Sequence, residues 1–190
     1  MHTASIEQRR DFYRYQTAYA FFIEAYQLLS VLGSSESLPD ELRGALWLAY
    51  FTAYGKPFKQ HKKKGLGLAE DFVPQEFASV HEAHVVLRDK MYAHTDALDL
   101  VDSNNRLLNA LAVCLSPDGS YIFARATIQP TPLNIVACEA LLCALLEKSK
   151  SLKEAIWETW LPNLSLTPGV KYEINIGTDS DEVVTISNFR

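Results

Sequence analysis

Ser5-Ile-Glu-Gln8-Arg-Arg-Asp-Phe12-Tyr-Arg-Tyr15-Gln-Thr-Ala-Tyr19-Ala-Phe-Phe22-Ile-Glu-Ala-Tyr26-Gln-Leu-Leu29 is the stretch that decides the fold class. Within it Phe12, Tyr15, Tyr19, Phe22, Tyr26 and Leu29 recur at alternating steps of three and four, the spacing that gathers side chains on one face of an α-helix. Ser5 and Gln8 form a capping-box signature, in which the hydroxyl accepts from a first-turn amide and the glutamine reaches back. Gly33 closes the segment. An aromatic stripe of this kind serves as core or as a helix–helix seam, so a long helix with a partner along it is predicted.

The rest of the chain extends the pattern. Ser37, Pro39 and Asp40 begin a second helix with Leu42, Ala45, Leu46, Ala49, Tyr50 and Ala53 on its inner face, ending at Gly55. From Gly55 to Val73 the period is lost, which predicts a loop. Pro74 opens a third helix with Phe77, Val80, His84, Leu87, Met91 and His94 on one stripe; His81, Val85, Arg88 and Tyr92 lie on the adjoining one. Leu107–Leu115 and Tyr121–Ile128 flank the turn sequence Ser-Pro-Asp-Gly, predicting a β-hairpin over about 107–128. Thr131-Pro132 caps a fourth helix with Leu133, Val136, Ala137, Ala140, Leu141, Ala144 and Leu145 inside, breaking near Pro162. The alternation Val170–Ile176 against Val183–Ile186 predicts a second hairpin within a C-terminal β extension of about 168–190. The expectation is one mainly α domain over residues 1–190: an antiparallel helical bundle with an inserted hairpin and a small C-terminal one.

Composition agrees with such a domain. At 190 residues, 48% hydrophobic and 22% charged, the chain is long enough for one sizeable core. A net charge of -5 leaves no global basic field, so any anion site must be local. Cys114, Cys138 and Cys143 form no C-x-x-C pair and each sits in an apolar run, which reads as small buried hydrophobes in a reducing compartment. The first ten residues lack the apolar stretch of a signal peptide. The longest apolar run, Ala140 to Leu146, is far shorter than the ~20 residues of a membrane span. A cytoplasmic location without membrane contact is expected.

Chemistry concentrates in Leu87-Arg88-Asp89-Lys90-Met91-Tyr92-Ala93-His94-Thr95-Asp96. A histidine, with an ordinary pKa of about 6.5, can take a proton from a ribose 2′-hydroxyl or give one to a leaving oxygen. An arginine holds a phosphate in its planar fork and stabilises the added negative charge of the transition state. Such a pair needs no metal and no cofactor. The bare spacing is unspecific; the longer string carries the information.

Leu-Arg-Asp-Lys followed by Ala-His-Thr-Asp resembles the active segment of the HEPN superfamily (higher eukaryotes and prokaryotes nucleotide-binding), in which an arginine and a polar residue precede a histidine. Tyr54-Gly-Lys-Pro-Phe58 before a basic loop, and His81-Glu-Ala-His84 upstream, look like the abortive-infection-related branch. The resemblance runs from about Phe12 to Asp96 and includes the helix after Thr131. It implies a helical bundle that forms a homodimer with two Arg/His pairs lining one cleft, and a metal-independent endoribonuclease acting on RNA, often in toxin–antitoxin or phage-defence systems with an antitoxin or regulatory protein as partner. Arg88 would then bind phosphate, His94 would be the general acid/base, and Asp89 would orient Arg88. Because many members of the superfamily are inactive, a non-catalytic dimeric module that binds a nucleotide, RNA or protein is the alternative.

Other readings of the same residues stay open. His94 shares its stripe with Leu87 and Met91, so it also fits a hydrogen-bonded core histidine, and Arg88 also fits a salt bridge with Glu82 or Asp89. On a straight helix Arg88 and His94 would stand about 120° apart in azimuth and about 9 Å apart along the axis. Either the helix ends before His94 or a twofold axis combines both copies. His81 and His84 are read as packing or hydrogen-bonding beside the cleft, with Tyr92 and Asp96; ligating a metal with His94 or Asp96 is the lesser alternative. Lys56, Lys59, Lys62, Lys63 and Lys64 form a basic run without an acid. It reads either as a solvated loop or as a landing site for RNA phosphates; Arg9, Arg10 and Arg14 read equally as an extension of it or as exposed helix charge.

Overall fold

A computed structural model describes residues 4–34, 38–59, 66–88 and 134–160, the strands 111–115, 121–125, 172–174 and 183–185, and positions 117, 162, 168 and 176. Four α-helices carry the described part: α1 (Ile6–Ser34), α2 (Asp40–Lys59), α3 (Ala78–Val86) and α4 (Ile135–Trp160). The chain is mainly helical, and its long helices pack as a bundle. Leu111–Leu115 (β1) pairs antiparallel with Tyr121–Arg125 (β2), and Tyr172–Ile174 (β3) with Val183–Thr185 (β4).

Helix α1 is the axis of the bundle. Its capping box is formed in both directions: the Ser5 amide donates to Gln8 Oε1 at 2.9 Å, and the Gln8 amide donates to Ser5 Oγ at 3.2 Å. The innermost row is Ala18, Phe22, Ala25, Leu29 and Leu32. The small alanines let neighbouring helices approach, while the tyrosines of the stripe flank this row half-buried. Tyr26 is an example, since its ring packs on the core and its hydroxyl donates to Glu139 Oε1 at 3.0 Å.

Helix α4 runs antiparallel to α1. Phe12 stacks on Trp157 with ring centroids 5.2 Å apart, and at the opposite end Gly33 lies beside Ile135. Between these ends Lys153 reaches Gln16 Oε1 at 3.2 Å and covers the Tyr19 ring. Helix α2 returns along the other side of α1, bringing Tyr54 and Phe58 against Phe22. Helix α3 packs on both α2 and α4. Before it the chain makes two 3-10 turns, Glu70–Phe72 and Gln75–Phe77. Lys148 of α4 fixes the first of these by donating to the Phe72 carbonyl at 2.8 Å, with its charge over the Phe72 ring.

Several elements differ from the sequence expectation. Helix α2 does not stop at Gly55 but continues through Pro57 to Lys59. An internal proline ordinarily costs a helix about 3 kcal/mol. Here the extra turn buries Phe58, and the returning chain satisfies the Pro57 carbonyl through the Leu68 amide at 2.8 Å. Lys56 and Lys59 are therefore helical and exposed rather than part of a loop. The third helix begins at Ala78, after the turn that follows Pro74. The cap of α4 is Asn134, whose Oδ1 accepts from the Val136 amide at 3.1 Å and the Ala137 amide at 3.4 Å. The buried face of α4 is Cys138, Leu141, Leu142, Leu145, Ser149 and Trp160, so Val136, at 71% exposed, and Ala140 point outward. Cys138 is buried as predicted, but Cys143 is exposed. No described helix is long and apolar enough to cross a membrane.

Candidate functional site

Tyr50 and Tyr54 lie one turn apart on the inner face of α2, and His81 and His84 lie one turn apart on α3. The four rings interlock. Tyr50 Oη stands 2.5 Å from His84 Nε2, and Tyr54 Oη stands 2.6 Å from His81 Nδ1. The His84 ring also packs 4.4 Å from Tyr54 and 5.5 Å from Phe51, while His81 packs 4.7 Å from Phe58.

The partners fix the direction of the His84 bonds. Nδ1 lies 2.6 Å from the Val80 carbonyl, which can only accept, so Nδ1 carries the proton. A neutral ring then leaves Nε2 as acceptor, and the Tyr50 hydroxyl donates to it. The Cys138 thiol of α4 also meets the Tyr50 hydroxyl. A directed pair of bonds therefore runs from Tyr50 through His84 to the backbone of α3.

Burial keeps every member neutral. It pushes the His84 pKa down to about 4, against a partial opposing effect of the Val80 hydrogen bond. Burial also lowers His81, with Glu70 opposing. The hydroxyls of Tyr50 and Tyr54 are pushed far up, chiefly by burial. Cys138 is pushed up to about 11 for the same reason. The network is a structural clamp between α2 and α3, with ionisation suppressed throughout.

Beyond this clamp α3 widens into a π-type turn at Leu87 and Arg88. Turns of this kind occur often at functional sites and re-aim the residues within them. Leu87 is buried in the core, whereas Arg88 is half-buried. Arg88 lies directly on Gly55 of α2. A Cβ placed on Gly55 would stand 2.8 Å from Arg88 Nε and 3.2 Å from Nη1, and closer still to Cδ. The same face of α2 leads one turn further to Lys59.

No protein-family model, curated protein or solved structure matches the chain.

The other sequence-predicted residues are placed as follows. His84 is 0% exposed and His81 9% exposed, both among aromatic rings. Both ring nitrogens of His84 are engaged, which removes it as a metal ligand, and among the described residues no group of three His, Cys, Asp or Glu side chains could hold an ion. Lys56 sets its ammonium 4.5 Å from the centre of the Phe21 ring. Asp89, Tyr92, His94, Asp96, Lys62, Lys63 and Lys64 lie outside the described residues. Of the arginines of α1, Arg9 is 3% exposed, Arg10 Nε donates to the Ile176 carbonyl at 3.0 Å, and Arg14 pairs with Asp11 at 2.9 Å.

Sequence reasoning found the two histidines but not their partners. The signal was present as a Tyr pair spaced by four on one helix and a His pair spaced by three on another. Pairing them requires knowing that these helices touch.

Proposed function

We propose that the chain is a HEPN-like, metal-independent endoribonuclease, a helical bundle with two β-hairpin additions that acts as a cytoplasmic homodimer in toxin–antitoxin or phage-defence chemistry. His94 takes the proton of a ribose 2′-hydroxyl, whose oxygen attacks the adjacent phosphorus. The P–O bond to the 5′-oxygen breaks, a histidine returns a proton to that oxygen, and a cyclic phosphate remains. Arg88 holds the phosphate and stabilises its added charge, with Asp89 orienting the guanidinium.

The observation that carries this reading is the setting of Arg88. It sits in a π-type turn at the end of a helix clamped to α2 by two tyrosine–histidine bonds, half-buried over Gly55. Such a setting holds a cation in one place, as phosphate recognition requires. Lys59 on the same face, and the lysines that follow it, add positive charge for an RNA backbone.

The test is cleavage of single-stranded RNA in excess EDTA by the wild type, Arg88→Ala and His94→Ala, each checked for fold by circular dichroism. The reading requires cleavage by the wild type and its loss in both variants. Salt-sensitive RNA binding without turnover would replace the enzyme by a non-catalytic binding module.

A further inference from the structure

Gly55 stands inside a helix, where glycine is a poor residue. It has no turn to make, and α2 runs on past it to Lys59. Replacing an interior helical glycine by alanine ordinarily stabilises a helix, since alanine loses less backbone entropy. Gly44 of the same helix has open space where a Cβ would be, whereas at Gly55 that space is filled by the stem of Arg88.

We propose that Gly55 is a positioning residue for Arg88: its missing side chain is the slot in which the arginine stem crosses α2, so that the guanidinium is held where an RNA phosphate binds. The claim rests on the ribonuclease reading for what Arg88 does, and on the close approach alone for what Gly55 does. The atoms that a methyl group would strike are Cδ, Nε and Nη1 of Arg88. These belong to the outer part of a flexible side chain, so the arginine yields and the backbone does not. A Gly55→Ala change should therefore separate stability from function. The helix gains, while the guanidinium is displaced by about the width of a methyl group. Displacements of that order cost reactions that depend on alignment roughly 100-fold.

The experiment compares wild type, Gly55→Ala, Gly44→Ala and Arg88→Ala as full chains. Three readouts are taken: the urea unfolding midpoint, the side-chain Nε–H NMR signal of Arg88 (assigned by its loss in Arg88→Ala), and kcat and KM on single-stranded RNA in EDTA. Gly55→Ala should unfold at or above the wild-type midpoint, shift the Arg88 signal, and lower kcat roughly 10- to 100-fold with a smaller change in KM. Gly44→Ala should leave the signal and both constants unchanged. An unmoved Arg88 signal in Gly55→Ala overturns the proposal, as does a moved signal with wild-type kcat. If Arg88→Ala itself cleaves RNA like the wild type, the ribonuclease reading fails, and the positioning role fails with it even where the signal has moved. A collapsed unfolding midpoint in Gly55→Ala also overturns it, because the backbone would then be what gives way.

Discussion

The Tyr50 hydroxyl donates to His84 Nε2 across 2.5 Å, and this bond ties the second helix to the third, which leads into Arg88. Both groups are fully buried, so neither has water as an alternative partner. A buried polar group left without its partner costs about 1–3 kcal/mol. Tyr50→Phe keeps the ring and removes the donor. It should destabilise the chain by that amount in urea unfolding, and a midpoint equal to wild type would show that the bond is dispensable.

The same histidine makes stability depend on pH. In the unfolded chain His84 binds a proton below its ordinary value of 6.5, while in the folded chain burial holds it neutral down to about 4. The unfolded state therefore binds more protons in that window, and folding is favoured above it. Stability should be full above pH 6.5, fall as the pH drops toward 4, and flatten below; the loss is about 3 kcal/mol for the shift. His81, also lowered by burial, adds in the same direction. Denaturation at a series of pH values checks this, with His84→Gln expected to flatten the profile between these limits.

Cys138 and Cys143 should differ sharply in reactivity. Cys143 is exposed, while Cys138 is sealed beneath Tyr50 with its thiol pushed up to about 11 by burial. Only a thiolate attacks an alkylating reagent at a useful rate. Iodoacetamide at pH 8 should modify Cys143 in the native chain and Cys138 only after unfolding, as read by tandem mass spectrometry. Equal labelling would contradict the packing of α4.

The start of α4 rests on one side chain. Asn134 accepts from two first-turn amides, so Asn134→Ala should cost about 0.5–2 kcal/mol in unfolding experiments.

Where physical cause is local, the sequence was readable. The Ser5–Gln8 cap and the stripe of α1 are properties of spacing alone, and so is the row Phe77, Val80, His84 and Leu87, which runs through α3 and faces the core. Where cause lies in distant residues, it was not. Pro57 argues for a helix end, but the burial of Phe58 and the carbonyl bond from Leu68 outweigh that preference. Apolar periodicity along α4 fits more than one helical face, and only contact with α1 selects Cys138 and Leu142 over Val136 and Ala140. Arg88 was identified from its neighbours in the chain. Its seat on Gly55, and the buried state of the histidines beside it, arise from two helices meeting and leave no mark in a linear motif.

The central claim is that Arg88 and His94 cleave RNA through its own 2′-hydroxyl. The most direct measurement is the chemical identity of the 3′ ends produced from a defined RNA in excess EDTA, read by mass spectrometry. The account predicts cyclic phosphate ends that disappear in Arg88→Ala and in His94→Ala. Intact RNA with the wild-type protein, or 3′-hydroxyl ends, would contradict it.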